Sequence, residues 1–243
     1  MVVGRILTER MFSFINKPPQ NPVWGHCSHE CFYCWAQGAK GLVEKWDMKM
    51  YRGPHTLNLK VLKRRFQKDD FIFVEDMADL FAETVLINMI GQVLNWVKVS
   101  PDAQFLFLTK NPSRYYVVLA VLSARSFDAI PPNVVLGATI ESNRNYPKIS
   151  KAPRQTLRLQ EMLRLTKYGI SNKRFISIEP IMDFDLDSFV QLIMEIKPWA
   201  VAVGYDNYRN GLPEPPLEKT MRLIAELEKF TTVYRKTLRE ANS

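Results

Sequence analysis

Phe105-Leu-Phe-Leu-Thr-Lys-Asn-Pro-Ser-Arg-Tyr115 is an apolar run that breaks off into polar residues. Its first four residues hold no polar position, which predicts a strand covered on both faces rather than one face of a solvated sheet. Pro112 then marks a helix start, because proline lacks the N–H that a helix interior needs, and the helix is expected over 113–123. The same unit recurs on either side. Phe71-Ile-Phe-Val74 precedes a helical pattern over 84–97, and Val134-Val-Leu-Gly-Ala-Thr-Ile140 precedes one over 156–168 that ends at Gly169. Arg174-Phe-Ile-Ser-Ile178 precedes a helix over 186–196 stopped by Pro198, and Trp199-Ala-Val-Ala-Val203 precedes one over 217–230. A short extended run at 21–24 supplies an opening strand, and Thr231-Thr-Val-Tyr234 adds a seventh. The glycine-interrupted stretch 35–44 and the basic stretch 57–66 read as weaker helices, the second with Lys60, Lys63, Arg64 and Arg65 on a solvated face.

Apolar strands alternating with helices imply parallel strands with right-handed crossovers. Six strand–helix units, counting the run at Val23, are too few to close an eight-fold barrel. The expected fold class is therefore α/β: a partial (β/α)6 TIM-type barrel with parallel strands, one domain over 21–243, and a lead-in over 1–20 that covers one end.

The chain has 243 residues, 47% hydrophobic and 24% charged, enough to bury one sizeable core. No run of about 18 apolar residues is present, so no membrane span is expected. The first ten residues carry charges where a signal peptide needs an apolar core, and together with unpaired thiols this indicates a reducing, cytoplasmic setting. A formal net charge of +8 points weakly to a polyanionic partner such as nucleic acid.

All three cysteines lie in Asn21-Pro-Val-Trp-Gly-His-Cys-Ser-His-Glu-Cys-Phe-Tyr-Cys-Trp35. An odd count at tight spacing fits a disulfide framework poorly. Three thiolates at Cys-x3-Cys-x2-Cys can instead grip three irons of a cubane cluster and leave the fourth iron open to an exogenous chelator. The competing reading is a Cys3His zinc site that recruits His26 or His29, which would make the chain a zinc-stabilised nucleic-acid-binding protein without catalytic activity. No second ligand cluster exists to close such a site, and the remaining histidine is His55. Cys27, Cys31 and Cys34 are thus the candidate metal ligands.

Parallel barrels gather their chemistry at the carboxyl ends of the strands. There the sequence places Glu75, Asp76 and Asp79; Thr109 and Lys110; Glu141, Ser142 and Arg144; Glu179; Tyr205 and Tyr208; and Tyr234 and Arg235. A carboxylate after a strand is more often a helix cap than a functional group, and Asp183, Asp185 and Asp187 read that way.

The cysteine spacing, with Tyr33 directly before the third cysteine, resembles the signature of the radical SAM superfamily, whose fold is also a six-unit partial barrel. Asn-Pro before the cysteine loop, Met-Ala-Asp-Leu-Phe, Leu-Thr-Lys-Asn-Pro-x-Arg-Tyr, Gly-x-Thr-Ile-Glu-x-Asn-Arg and Ser-Ile-Glu-Pro together resemble a phage and archaeal radical SAM family of unassigned activity. The Thr-Lys pair and the Asp of Met-Ala-Asp-Leu-Phe are distantly similar to the spore photoproduct lyase branch, in which the lysine reaches the adenosylmethionine. The resemblance implies a 4Fe-4S cluster, S-adenosylmethionine, and a flavodoxin- or ferredoxin-like electron donor. On this reading Tyr33, Asp76, Asp79, Thr109, Lys110, Glu141 and Ser142 contact the cofactor. Glu179 and Tyr205 are catalytic candidates, and Arg144, Tyr208, Tyr234 and Arg235 face a substrate for which nucleic acid is favoured by charge. The chain departs from the superfamily in lacking Gly-Gly-Glu after the strand at 71–74. It departs from the lyase in having no cysteine beyond the triad, which the lyase uses as hydrogen donor.

Overall fold

The computed structural model describes residues 11–123 and 130–241. Its centre is a six-stranded, wholly parallel sheet, curled into a half-barrel: β3 (Phe71–Val74), β4 (Gln104–Thr109), β5 (Val134–Thr139), β6 (Arg174–Ile178), β7 (Ala200–Val203) and β8 (Thr232–Arg235), in sequence order across the sheet. The crossover helices are α3 (Ile87–Lys98), α4 (Ser113–Ser123), α5 (Gln155–Lys167), α6 (Leu186–Ile196) and α7 (Leu217–Leu227). The apolar runs thus sit where the sequence places them.

The opening strand differs. Val23–Trp24 forms β1, which pairs antiparallel with β2 (Thr56–Leu57) in a small separate sheet, and Thr232–Arg235 completes the six. The segment that lies beside β3 comes a few residues earlier. The Asn16 N–H reaches Phe71 O at 3.2 Å, the Gln20 N–H reaches Phe73 O at 2.9 Å, and the Glu75 N–H reaches Gln20 O at 2.8 Å. Pro18, Pro19 and Pro22 cannot donate to a ladder, so this edge is an interrupted run rather than a strand. It still delivers the chain to the cysteine loop from the sheet edge. Two helices are shorter than expected: α1 is Leu42–Lys45 and α2 is Leu59–Leu62. At Gly38 a Cβ would lie 2.4 Å from Cys34 O, and at Gly41 2.5 Å from Ala36 O, so 35–41 is a tight coil that only glycine permits.

Alternate strand residues point to opposite faces. Ile72, Val74, Phe105, Phe107, Leu136, Ile176, Ile178, Val201 and Val203 face the helices. Phe73, Leu106, Val135, Phe175, Ala200 and Ala202 line the concave face. An open barrel leaves that face exposed, and here the lead-in fills it: Phe12 is 1% exposed, with its ring 4.9 Å from Phe175 and 6.1 Å from Phe73. Phe14 packs against Phe71, Trp199 and Tyr234. The described part of the lead-in therefore plugs the interior; residues 1–10 of it lie outside the described residues. No described helix is long and apolar enough to cross a membrane.

Candidate active site

Carrying the inner-face alternation past the strand ends identifies what lines the mouth. Two residues beyond Leu108 comes Lys110, beyond Thr139 comes Glu141, beyond Ser177 comes Glu179, beyond Ala202 comes Gly204 and beyond Tyr234 comes Lys236. The last three meet closely: a Cβ on Gly204 would lie 2.6 Å from Lys236 Cβ and 3.5 Å from Glu179 Oε1. Glycine here makes room for the Glu179 carboxylate beside the Lys236 stem, whose Nζ donates to Met11 O and lies 5.5 Å from the Phe12 ring centroid. Burial raises the Glu179 carboxyl above its usual range, opposed by Lys236 and then by Lys110.

The cysteine loop lies across this mouth and is tied to it at several points. Gln37 clamps the loop base: its Oε1 accepts from the Cys27 N–H at 2.7 Å, and its Nε2 donates to Gly25 O at 3.1 Å and Met77 O at 2.9 Å. The Gln37 N–H also points at Cys34 Sγ at 3.2 Å. The far side of the loop docks on the connection between β5 and α5. The Phe32 N–H donates to Ile149 O at 2.8 Å, the Lys151 N–H to His29 O at 2.7 Å, and Ser150 Oγ sits 3.3 Å from Cys31 Sγ. All three thiols are free and partly exposed. Burial raises the Cys27 and Cys31 thiols; Asp79 adds to the effect on Cys27, and Lys110 counters it on Cys31.

Two buried carboxylates fix the remaining geometry. Asp79 Oδ2 accepts from His29 Nε2 at 2.8 Å, Thr109 Oγ1 at 2.9 Å and the Lys110 N–H at 2.8 Å, while its Oδ1 accepts from the Phe81 N–H at 2.8 Å. Burial alone would raise this carboxyl, but His29 and these hydrogen bonds hold it below its usual range. Asp79 and Thr109 thus lock the loops after β3 and β4 to the cysteine loop. Glu141 accepts from Arg158 Nη1 at 2.8 and 3.1 Å and from the Tyr33 hydroxyl, with Lys110 Nζ at 3.7 Å. Its burial is outweighed by Arg158 and then Lys110, which hold the carboxyl at about 2. Lys110 Nζ also lies 5.4 Å from the Tyr33 ring centroid, a cation–π distance.

Other expected site residues take different places. Asp76 accepts from Asn21 Nδ2 at 2.8 Å, and burial raises its carboxyl. Ser142 Oγ donates to Asp183 O at 2.6 Å and shapes the loop after β5. Arg144 is held by Asp183 and Asp185, and Asp183 also takes Lys219 at 2.7 Å; Asp185 is the N-cap residue of α6 and Asp187 lies in its first turn, but the Asp185 carboxylate anchors the arginine and makes no cap hydrogen bond. Tyr205 is turned away from the mouth. It carries outer-face parity after Val203, is fully buried, and donates to Pro215 O at 2.9 Å beside Thr220 Oγ1 at 2.7 Å. Arg235 shares the outer parity and pairs with Glu228 at 2.8 Å. Tyr234 has inner parity but packs against Phe14 at 4.8 Å in the plug, and Tyr208 is exposed on the loop after β7. Gln37, Ser150, Arg158 and Lys236 escaped the sequence reading. Parity could have found Lys236; nothing in the sequence marks the others.

As for the group the loop could hold, no set of three or more His, Cys, Asp or Glu is gathered as a ready cation cage among the described residues. His29 is buried against Asp79, and exposed His26 lies 3.8 Å from Glu30. Both flanking histidines face carboxylates, leaving a three-thiol donor set with no fourth side chain. That set suits a cubane with one open iron better than tetrahedral zinc.

The family described as "Protein of unknown function (DUF5131)" matches residues 17–205. No curated protein matches the chain. Among solved structures, a doubly substituted spore photoproduct lyase with bound AdoMet and dinucleoside spore photoproduct is similar at TM-score 0.52 and 13% identity, over 88% of this chain and 61% of that one. A singly substituted form of the same enzyme gives TM-score 0.53 and 14% identity over 94% and 66%. SuiB of Streptococcus suis gives TM-score 0.50 and 10% identity over 90% and 49%. The chain thus spans about half to two thirds of the length of these neighbours. They are radical SAM enzymes, and at such identities the likeness shows a shared fold.

Proposed function

The chain belongs to the DUF5131 family of proteins of unknown function, and we propose that it is a radical SAM enzyme acting on a substrate of nucleic-acid class. One observation carries the reading: three thiols on one loop, without a fourth side-chain ligand among the described residues, lie across the mouth of a half-barrel whose structural neighbours are radical SAM enzymes. When bound, a 4Fe-4S cluster would supply one electron to the sulfonium of S-adenosylmethionine, whose cleavage gives methionine and a 5′-deoxyadenosyl radical able to take hydrogen from a substrate.

The chain's own part is to bind, orient and exclude water. Cys27, Cys31 and Cys34 would hold the iron. Lys110, 16% exposed at the mouth, offers a charged donor to the carboxylate or ribose of the adenosylmethionine, and Glu141 with the Tyr33 ring sets its direction. Asp79 and Thr109 fix the backbone from which Lys110 projects, with Asp76 and Ser142 bracing the loops on either side. Glu179 presents its carboxyl to the substrate beside Gly204, while Lys236 ties the plug to the mouth by donating to Met11 O. The Phe12 and Phe14 plug closes the floor against water. The nucleic-acid class rests on the net charge of +8 and on the dinucleoside bound by the lyase neighbour. Electrons would come from a flavodoxin- or ferredoxin-like donor.

Metal analysis after anaerobic reconstitution tests the reading. A brown protein with iron, sulfide and broad absorption near about 400 nm supports it, that band being expected of thiolate-ligated iron. A colourless protein that retains zinc overturns it.

A further inference from the structure

Ser150 occupies a place that its backbone alone would hold. The Ile149 carbonyl before it accepts from the Phe32 N–H at 2.8 Å, and the Lys151 N–H after it donates to His29 O at 2.7 Å. These two bonds clip the β5–α5 connection to the cysteine loop whatever stands at position 150. The hydroxyl is an addition to that clip. Its oxygen accepts from the Ala152 N–H at 3.0 Å, and it lies 3.1 Å from His29 O and 3.3 Å from Cys31 Sγ.

A serine hydroxyl has a single proton, and two acceptors compete for it here. With Cys31 as a thiol, the S–H can donate to Ser150 Oγ while the hydroxyl proton goes to His29 O, so every group is satisfied. With Cys31 as an iron-bound thiolate, sulfur has no proton to give and is the more strongly accepting atom. The hydroxyl proton then turns to sulfur, and His29 O loses nothing essential because it keeps the Lys151 N–H. The two other thiols meet backbone groups instead: the Gln37 N–H at Cys34, and the His29 backbone at Cys27. Cys31 is the cysteine whose sulfur meets a side-chain hydroxyl among the described hydrogen bonds.

We infer that Ser150 is a positioning residue that tunes the reduction potential of the cluster through a hydrogen bond from Ser150 Oγ to Cys31 Sγ, an inference resting on the radical SAM reading above. Hydrogen bonds to cluster sulfurs set the potential because a donor stabilises the more electron-rich, reduced state over the oxidised one. Removing the hydroxyl therefore lowers the potential and makes the one-electron reduction harder.

The test uses the full chain, reconstituted anaerobically and titrated with dithionite while the reduced cluster is followed by electron paramagnetic resonance, without adenosylmethionine. Ser150→Ala is expected to keep the iron and sulfide content of the parent and to show a lower midpoint potential. Ser150→Thr and Ser150→Val form the decisive pair, nearly equal in shape and differing in the hydroxyl: Thr should stay near the parent and Val should fall below it. This comparison also stands if Ser150→Ala loses its cluster. Equal midpoint potentials for Thr and Val, with clusters intact, overturn the inference and leave Ser150 as part of the loop clip. A parent chain that takes up no iron overturns the underlying reading instead, and this inference with it.

Discussion

Arg158 sits on an outer helix, yet its guanidinium is 1% exposed and reaches the mouth to hold Glu141. Breaking a buried ion pair by deleting one partner strands the other charge, which costs about 3–5 kcal/mol. Arg158→Ala should therefore lose stability on that scale in urea unfolding, and should loosen Tyr33, whose hydroxyl shares the carboxylate. Glu141 also sets a pH dependence. Its carboxyl titrates at about 2 when folded against an ordinary 4.5. The stabilisation is thus complete above about 4.5 and is lost as pH falls from there towards 2. Unfolding free energy measured against pH should drop through that window, and Glu141→Gln should flatten the drop. At Lys110 the expected loss is in binding. Lys110→Met should weaken adenosylmethionine affinity by about ten- to a hundred-fold, as for a charged hydrogen bond of roughly 1.5–3 kcal/mol, with iron content unchanged. An unchanged dissociation constant in calorimetry would remove Lys110 from the site. Lys110 and Glu141 were legible because each follows a plain strand in the sequence. Arg158 was not, since nothing in a helix of mixed polarity says which arginine turns inward to a carboxylate 17 positions away.

The elements that the sequence revealed are those whose apolar runs are long enough to show a period. β3 to β7 and their helices needed no tertiary information. The first strand was misplaced because β1 is two residues long and its partner lies beyond the cysteine loop, so only a long-range pairing defines it. The plug was hidden for a related reason: Phe12, Phe14 and Ile15 show no helical or strand period and bury against the half-barrel's concave face. Phe12 packs on Phe14 and Phe175, and its loss leaves a cavity in a floor with little freedom to collapse. Phe12→Ala should destabilise by about 3–5 kcal/mol in urea unfolding, as other buried Phe→Ala changes do. A cost near zero would mean that the plug is not held in place in solution. Parity decides the site at this scale too. Tyr205 and Arg235 stand one residue from inner positions and so face the helices, while Glu179 and Lys236 face the mouth.

For the molecule as a whole, the net charge of +8 matters only through its placement. Arg144 and Arg235 spend their charge on Asp183, Asp185 and Glu228, and Lys236 donates to Met11 O in the plug, leaving Lys110, among the described residues, as the cation that inner-face parity brings to the open mouth. Weak nucleic-acid binding is expected, falling steeply between about 50 and 200 mM salt, as phosphate contacts release counterions. Arg144→Ala should change it little. Titration of labelled single- and double-stranded DNA and RNA at both salt levels checks this, and no binding even at low salt would point to a peptide or small-molecule substrate. Adenosylmethionine cleavage at the three-thiol loop is the reaction that the proposed function requires. Its most direct test is to incubate the reconstituted, dithionite-reduced protein with S-adenosylmethionine and to quantify 5′-deoxyadenosine and methionine. Equal release of both by the parent chain, abolished in Cys27→Ala, Cys31→Ala and Cys34→Ala, is the expected result; an iron-loaded parent that releases neither would contradict it.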